Sequence, residues 1–309
     1  MRSLRWTDRV YGEVSIDDPG VLALIARPTF QRLRGIRQAG PSALAFPFKT
    51  VTRFEHSLGV YLLLRRLGAG REEQLAGLLH DVSHTAFSHA VDFLFDSAEQ
   101  DHHEGLKAEF LGRPDMAAAI RALGVEPGLF HDDEHFRLLE RPLPWLCADR
   151  LDYFLRDSLA CSVTTSEEAE RILDDLVVVD QTIAFQSVEI ARLAVERFAE
   201  MNRDWWASPT EAFIYNQFAD AMREGFRLGV LESGDLYSDD MHVLSCLRSA
   251  KSPLIDAAIG SIRGFQSEML EGFTPKVAPK VRWLDPPVAV GDGWAKFSAC
   301  ESAAAVEGA

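Results

Sequence analysis

Residues 71–95 read REEQLAGLLHDVSHTAFSHAVDFLF, and their apolar residues recur at the spacing of an amphipathic helix. The adjacent pair His80-Asp81 lies inside this stretch. A second stretch of the same character, HSLGVYLLLRRL, begins at His56. Two neighbouring helices would therefore bring two imidazoles and a carboxylate to one place. This arrangement is typical of a metal site built between the helices of a bundle.

A fourth candidate ligand, Asp149, comes from a third helical stretch, PWLCADRLDYFLRDSLA, at residues 144–160. Imidazole nitrogen and carboxylate oxygen together suit divalent metal ions, and four protein ligands leave positions open for water and substrate. Such an ion lowers the pKa of water and polarises a phosphoryl oxygen, so phosphoester hydrolysis is expected. The residue types do not choose among Mn, Fe, Co, Ni, Zn and Mg. The predicted ligands are His56, His80, Asp81 and Asp149.

Three motifs resemble those of a known family, the HD-domain phosphohydrolases, which are named for their His-Asp pair. RFEHSLGV at 53–60 resembles the family's first His motif, GLLHDVSHTAFSH at 77–89 its His-Asp motif, and DRLDYFLRD at 149–157 its last Asp motif. The similarity extends over about residues 8–254 and is greatest to the deoxynucleoside triphosphate triphosphohydrolases. It implies a mainly α fold, an HD-domain helical bundle, and hydrolysis of a dNTP to deoxynucleoside and tripolyphosphate.

Histidines after the His-Asp pair are candidate catalytic residues. His84 stands four residues after His80 and shares its face if the helix continues. His89 is the candidate general acid, and Asp92 follows it at a spacing at which a carboxylate can orient an imidazole. The family resemblance adds His103, which would work with His89 and Asp92. Buried hydrogen bonding is the alternative for each, and a second metal held by His84 and His89 stays open.

Residues 19–54 contain no acidic residue but six cations, which indicates an anion-binding segment in an otherwise acidic chain. A solvated basic face or an oligomer contact is the alternative, and it stays open for every one of these cations except Arg53. Arg53, three residues before the first candidate ligand, is the predicted phosphate contact. The resemblance implies that Gln38 lies near the sugar 3′-hydroxyl and that Tyr153 and Asp157 contact the sugar. A nucleotide or another phosphorylated small molecule is therefore the expected ligand.

Two departures from the triphosphohydrolases leave alternatives open. Trp205 and Trp206 stand where those relatives usually have His and Tyr residues that contact the nucleotide. The pair could form an aromatic wall for a base or pack in the core. At 309 residues the sequence is also expected to be too short for the long C-terminal extension of the enzyme that joins a SAM domain to an HD domain. The first alternative function is a nucleotide phosphomonoesterase or phosphodiesterase. The second is an inactive nucleotide-binding or assembly module.

The predicted organisation is an HD core with additions at its C-terminal side. LVVVDQTIAFQ at 176–186 predicts a β-hairpin with QT as its two-residue turn, and two helices should follow, around 188–206 and 210–228. The sequence predicts three sections, namely an HD core at 1–176, a hairpin with a helical C-terminal extension at 177–272, and an irregular or edge-strand tail at 273–309 with a disordered end.

The composition argues against a nucleic-acid-binding or membrane protein. The 309 residues carry a net charge of −15, so no extended basic surface is expected. No stretch approaches the run of about 18 apolar residues that crosses a bilayer, and the start has no apolar signal region, so a cytoplasmic location is expected. The four cysteines show no C-x-x-C spacing and indicate reduced thiols. The family resemblance leaves a homo-oligomer open.

Overall fold

The computed structural model describes residues 3–96, 102–291 and 293–301, with the side chains of residues 102–104 and 134 outside that description. The chain is mainly α, as its sequence predicts. Its α-helices are α1 (Pro19–Ile25), α2 (Pro28–Gln31), α3 (Ser42–Ala45), α4 (Arg53–Arg66), α5 (Arg71–Leu79), α6 (Ala90–Leu94), α7 (His102–Gly112), α8 (Pro114–Arg121), α9 (Ala148–Ala160), α10 (Ser166–Asp174), α11 (Val188–Met201), α12 (Pro209–Arg227), α13 (Asp240–Ser249) and α14 (Pro253–Arg263). Its strands are β1 (Leu4–Asp8), β2 (Gly12–Ile16), β3 (Leu176–Val179), β4 (Thr182–Phe185), β5 (Pro287–Val290) and β6 (Gly293–Lys296).

Helices α4, α5 and α9 form the part of the bundle that carries the predicted ligands. Helix α4 begins with a capping box, in which Glu55 N donates to Thr52 Oγ1 at 3.2 Å and Thr52 N donates to Glu55 Oε2 at 3.0 Å. Gly77 of α5 faces α4 so closely that a Cβ there would lie 2.4 Å from Leu64 Cδ1. Helix α9 also packs against α4. The first turns of α4 and α9 therefore meet the end of α5.

Helix α5 ends at Leu79, with His80 as its C-terminal cap. His80 and His84 were expected to share one helix face only if the helix continued, and it does not. The following residues form turns, in which Phe87 and Ser88 adopt φ angles of 60° and 52°. The guanidinium of Arg32 holds this segment by donating to His84 O at 2.7 Å and to Val82 O at 2.8 Å. His84 therefore lies in a turn whose backbone is held by the hydrogen bonds of Arg32.

The predicted β-hairpin is present, with its turn one residue earlier than expected. Val179 pairs with Thr182, so the turn residues are Asp180 and Gln181, with φ angles of 49° and 55°. Positive φ at both positions is the type I′ pattern, which matches the twist of the flanking strands. The tail adds β5 parallel to β4, and β6 antiparallel to β5. The hairpin is thus half of a four-stranded sheet in the order β3-β4-β5-β6.

An N-terminal hairpin, β1 with β2, was not predicted. Asp8 ends β1, and its Oδ1 accepts from the backbone N–H of Val10 at 2.9 Å and of Tyr11 at 3.2 Å. This Asx-type turn is a local reason for the chain reversal. The hairpin brings Asp8 and Tyr11 against helix α9, where both contact residues behind the metal site.

The two helices predicted after the hairpin are present as α11 and α12, but α11 ends at Met201 and residues 202–206 form a π-helical turn. The described side chains form two apolar clusters. One is built around α4, α5, α9 and α11, and the other around α6, α12, α13 and α14. The three-section division of the chain stays a prediction.

Among the residues that the structure describes, no helix has both the length and the apolar character that a bilayer-spanning segment requires.

Candidate metal centre

The four predicted metal ligands come together between α4, α5 and α9. Nε2 of His56 lies 3.1 Å from Nε2 of His80 and 2.8 Å from Oδ1 of Asp149. The same Asp149 oxygen lies 3.4 Å from Nε2 of His80. Asp81 places Oδ2 3.7 Å from Nε2 of His56 and Oδ1 3.5 Å from Nε2 of His80. Two nitrogens and two carboxylates therefore converge on one small volume.

A second layer of buried groups fixes His56. Oδ1 of Asp152 lies 2.8 Å from Nδ1 of His56, so the ring donates there and directs Nε2 into the site. Asp152 is held in turn by Nε of Arg156 at 2.7 Å and by the hydroxyl of Tyr11 at 2.7 Å. Nη2 of Arg156 lies 3.0 Å from Oδ2 of Asp8. The N-terminal hairpin is thereby connected to a candidate metal ligand.

Gly59 on α4 provides the space for this layer. A Cβ at Gly59 would lie 2.0 Å from Oδ2 of Asp152 and 2.1 Å from Nη2 of Arg156. Both side chains are fully buried, so neither can move into solvent. The carboxylate and guanidinium that support His56 can lie here only because position 59 has no side chain.

The other ligands are supported as well. Nδ1 of His80 lies 2.8 Å from the carbonyl oxygen of Gly77, which leaves Nε2 directed to the site. Nη1 of Arg53 donates to Oδ2 of Asp81 at 2.8 Å, and its Nε donates to Ser88 Oγ at 3.0 Å. Arg53 is buried beside the predicted ligands, as its position one turn before His56 suggested.

The charges in this group are strongly coupled. Burial lowers the pKa of His56, but hydrogen bonds to Asp149 and Asp152 outweigh burial and raise the pKa to about 10. Burial raises the pKa of Asp149, and hydrogen bonds from His56 and His80 outweigh it and hold the pKa well below its usual value. Burial also raises the pKa of Asp81, but the charges of Arg53, His80 and His84 outweigh burial and hold that pKa well below its usual value. Both carboxylates of the ligand set are therefore charged near neutral pH.

This donor set fits a divalent cation. The ligand atoms of His56, His80 and Asp81 all lie within 4.8 Å of one another, and Asp149 Oδ1 contacts both imidazoles. Two imidazoles with two carboxylates suit a first-row divalent ion or Mg²⁺. A cation at their centre would replace the imidazole proton that now compensates the carboxylates.

The candidate catalytic residues lie next to the ligand set. Nε2 of His84 lies 3.1 Å from Oδ1 of Asp81, and the rings of His84 and His89 are 5.2 Å apart. Nδ1 of His89 lies 3.0 Å from Oδ2 of Asp92, as the spacing of these residues suggested. Burial lowers the pKa of His89, against the opposing effect of Asp92. His103 lies in α7, but its side chain is outside the described residues.

The predicted sugar contacts form a second group, which includes an unforeseen partner. Nε1 of Trp206 donates to Oδ2 of Asp157 at 3.0 Å, and Nε2 of Gln38 donates to Oδ1 at 3.4 Å. The ring of Tyr153 lies edge-on to Trp206, with centroids 5.3 Å apart. Burial raises the pKa of Asp157, although Trp206 lowers it. Trp205 packs apart from this group, edge-on to Phe46 and Phe48.

One cavity of about 660 Å³ is lined by three of the predicted ligands, His80, Asp81 and Asp149, and by the group around Asp157. This volume lies within the range of small-molecule sites, which span about 300–1,000 Å³. The wall also carries cations that were not singled out from the sequence, because their chain positions show no periodic relation to the His-Asp motif. These cations are Lys107, Arg141, Arg150, Lys280 and Arg282.

Lys49 and Glu211 form a buried ion pair in the same wall. Nζ of Lys49 lies 3.2 Å from Oε2 of Glu211 and 2.7 Å from Ser42 Oγ, which itself donates to Glu211 at 2.8 Å. Lys49 also lies over the ring of Trp205, 5.0 Å from its centre. Lys49 is therefore not free to neutralise a bound anion, because Glu211 already matches its charge within the protein.

Comparison with known proteins identifies the motif and gives full-length relatives. A model of the HD domain matches residues 53–125. The chain is 38% identical over 298 residues to the Uncharacterized protein YdhJ of Bacillus subtilis, a match that spans 94% of this chain and 90% of that protein. It is 32% identical over 289 residues to the Metal-dependent phosphohydrolase cns2 of Cordyceps militaris, with 91% and 84% of the two chains matched.

More distant similarities extend the comparison. The Deoxynucleoside triphosphate triphosphohydrolase SAMHD1 homolog of Dictyostelium discoideum is 24% identical over 319 residues, which span 89% of this chain and 61% of that protein. Among solved structures, a hypothetical protein from Aquifex aeolicus superposes with a TM-score of 0.67 at 21% identity, covering 98% of this chain and 93% of that chain. The structural similarity confirms the predicted mainly α fold.

Proposed function

Because the chain belongs to the HD-domain metal-dependent phosphohydrolases, we propose that it hydrolyses nucleotides, with deoxynucleoside triphosphates as the first substrate class. The products would be a deoxynucleoside and tripolyphosphate. The observation that carries this proposal is one cavity lined by three of the proposed metal ligands, by the Gln38–Asp157 group and by basic side chains that alternate with acidic ones. The similarity to the SAMHD1 homolog adds support.

The ligand set would position the phosphoryl group that reacts. A divalent ion held by His56, His80, Asp81 and Asp149 would lower the pKa of water and offset phosphate charge. Arg53 keeps Asp81 in place and presents its guanidinium at the cavity wall, where phosphate oxygens can bind. Arg141, Lys280 and Arg282 are the candidates for contacts to the rest of a polyphosphate chain, whereas the charge of Lys107 is already matched by Asp133.

Proton transfer to the leaving group is the role proposed for His89. Water would add its oxygen to the α-phosphorus and release a proton to solvent, the bond from phosphorus to the sugar 5′-oxygen would break, and that oxygen would take a proton from His89. Asp92 at Nδ1 orients His89, so Nε2 is the atom that would carry the proton. Bound phosphate would favour the protonated ring, against the burial that lowers its pKa in the free protein. His84 would contact phosphate, while His103 stays a prediction by resemblance.

Gln38, Tyr153 and Asp157 are the proposed contacts to the sugar. Asp157 and Gln38 already contact each other at 3.4 Å, so their polar atoms lie within reach of one small group. Trp206 would cover one side of this group, since it contacts both Tyr153 and Asp157.

A product analysis tests the proposal. The purified protein is incubated with Mn(II) and a panel of dNTPs, dNMPs and cyclic dinucleotides, and products are identified by mass. We expect tripolyphosphate from the wild type, loss of the product in His80→Ala, and its retention in His135→Ala, which changes an exposed histidine outside the cavity. Orthophosphate or a linear dinucleotide as the sole product contradicts the triphosphohydrolase proposal.

A phosphomonoesterase is the second candidate, and the Trp206–Asp157 hydrogen bond favours it. Both carboxylate oxygens of Asp157 already accept a hydrogen bond within the protein, so fewer of its acceptor sites are left for a sugar hydroxyl. A smaller or differently oriented phosphate ester does not need these acceptor sites. Trp206→Phe removes the donor and keeps the ring. A lower KM for dNTP in this variant supports a sugar at Asp157, whereas an unchanged dNTP KM with orthophosphate release from a monophosphate supports the second candidate.

A further inference from the structure

A second group of metal-binding side chains lies outside the cavity. Asp235 belongs to a short 3-10 turn at Ser233–Tyr237, and His242 and Cys246 belong to α13. Nε2 of His242 lies 2.7 Å from Oδ1 of Asp235 and 3.6 Å from Sγ of Cys246. The three ligand atoms all lie within 4.8 Å of one another.

The local structure sets these three atoms in place. His242 and Cys246 are four residues apart on α13, so their side chains share one face of the helix. Asp239 caps the helix by accepting from the backbone N–H of His242 at 2.9 Å. The other oxygen of Asp235 accepts from the backbone N–H of Glu232 at 2.8 Å, which holds the carboxylate against His242.

We propose that Asp235, His242 and Cys246 form a second metal site, which binds a zinc-class transition metal with water as the fourth ligand. Thiolate and imidazole are preferred zinc ligands, and hard ions such as Mg²⁺ are disfavoured by sulfur. Zinc lies about 2.0–2.3 Å from such ligands, so ligand atoms about 3–4 Å apart are required. The His242–Cys246 distance of 3.6 Å meets this requirement, and the His242–Asp235 contact has only to open slightly when the shared proton leaves.

Binding would release a proton and leave no other product. The thiol of Cys246 loses its proton to solvent, and the proton of the neutral His242 ring moves from Nε2 to Nδ1 by exchange with solvent, so each ligand atom presents a lone pair. No oxidation or group transfer is involved. A closed zinc site has four protein ligands, whereas this site offers three. The fourth position is therefore open to water, and the bound ion can exchange with ions in solution.

The segment that carries the second site contacts the turn after the His-Asp pair. Ala86 N donates to Leu236 O at 2.9 Å, and Phe87 N donates to Oδ1 of Asp240 at 2.6 Å. Arg32 joins the two segments through Ser238 O, at 3.1 Å, and His84 O. A metal that ties the 3-10 turn to α13 would therefore stiffen the support of His84 and the turn beyond it.

Cobalt(II) substitution tests the second site separately from catalysis. Thiolate-bound cobalt gives an intense charge-transfer absorption, and the candidate metal centre has no sulfur among its predicted ligands. We expect this absorption in the wild type, with one more cobalt bound per chain than in Cys246→Ser. Cys300→Ser, which changes another partly buried cysteine outside the cavity, is the matched control and should retain the absorption.

A second variant keeps the thiol and removes the imidazole. His242→Ala should also lose the absorption, because Cys246 alone does not hold the ion. Circular dichroism shows whether each variant is folded, and His242 is exposed enough for alanine to be tolerated. Absence of the absorption in the wild type overturns the proposal. An absorption of equal intensity in Cys246→Ser also overturns it, since another cysteine would then be the ligand. An absorption of equal intensity in His242→Ala overturns it as well, since His242 would then not be a ligand.

Discussion

The carboxylate of Asp152 lies 2.8 Å from Nδ1 of His56, on the opposite side of the ring from Asp149, which lies 2.8 Å from Nε2. The imidazole is therefore held between two carboxylates with different proposed roles. Asp149 belongs to the ligand set, whereas Asp152 is buried behind the ring and is positioned by Arg156 and Tyr11.

Asp152→Asn should weaken metal binding by about 10–100-fold, because the carboxylate orients His56 and increases its basicity as a ligand. Titration calorimetry with Mn(II) measures the affinity without requiring turnover. Asp174→Asn is the control, since Asp174 is an exposed partner of Arg66 at the end of α10. Equal Mn(II) affinity in the wild type and Asp152→Asn would show that Asp152 has no role in positioning His56.

Metal binding at the candidate centre should release protons near neutral pH. The pKa of His56 is raised to about 10 in the metal-free protein, so its ring is protonated at pH 7 and must lose a proton to become a ligand. The apparent affinity should rise about tenfold per pH unit for each proton released. Calorimetry in buffers of different ionisation enthalpy counts the protons, and Cys246→Ser restricts the count to this centre. A binding enthalpy that does not depend on the buffer contradicts this expectation.

Asp240→Asn should gain stability relative to the wild type as pH rises. Burial raises the pKa of Asp240 to about 7, although backbone N–H groups of Arg37 and Phe87 donate to it. Between about pH 4 and pH 7 the native state then binds more protons at this carboxyl than the unfolded state, so ionisation lowers the free energy of unfolding. Urea unfolding of both proteins at pH 5, 6, 7 and 8 gives the difference, which should grow up to about pH 7 and then level off. A constant difference would show that the carboxyl titrates normally.

Lys49→Met should destabilise the protein by about 3–5 kcal/mol, because it leaves Glu211 as an unpaired buried carboxylate. The double variant with Lys49→Met and Glu211→Leu should recover much of this loss, since apolar groups of similar size often replace a buried ion pair at little cost. Chemical unfolding of both single variants and the double variant gives the coupling energy. Additive losses would show that the pair does not act as a unit.

The side chains proposed as metal ligands could be singled out because their evidence is local in the sequence. His80 and Asp81 are adjacent, and His56 and Asp149 lie in short stretches whose apolar spacing predicts helices. The spacing of His89 and Asp92 likewise indicated their contact, which the structure shows at 3.0 Å. The end of α5 before His80 could not be predicted, because the apolar pattern of the sequence continues beyond it. The turns that follow depend on long-range contacts from Arg32 and Asp240.

Contacts between distant segments could not be predicted from one chain. Asp8 and Tyr11 reach Asp152 and Arg156 across more than a hundred residues, and no periodicity relates them. The four-residue spacing of Asp152 and Arg156 was a usable signal for an ion pair on one helix. The hydrogen bond from Trp206 to Asp157 had no local signal, since it depends on the π-helical turn after α11.

Gly59 limits how this protein can be made more heat-resistant by design. Replacing a helix glycine by alanine is a common stabilising change, worth up to about 1 kcal/mol where the position is open. At position 59 the added methyl group would occupy the space of Asp152 and Arg156, and the support of His56 would be displaced with them. An engineering library for thermostability should therefore leave this glycine unchanged, because the gain in helix propensity would be obtained at the expense of metal affinity.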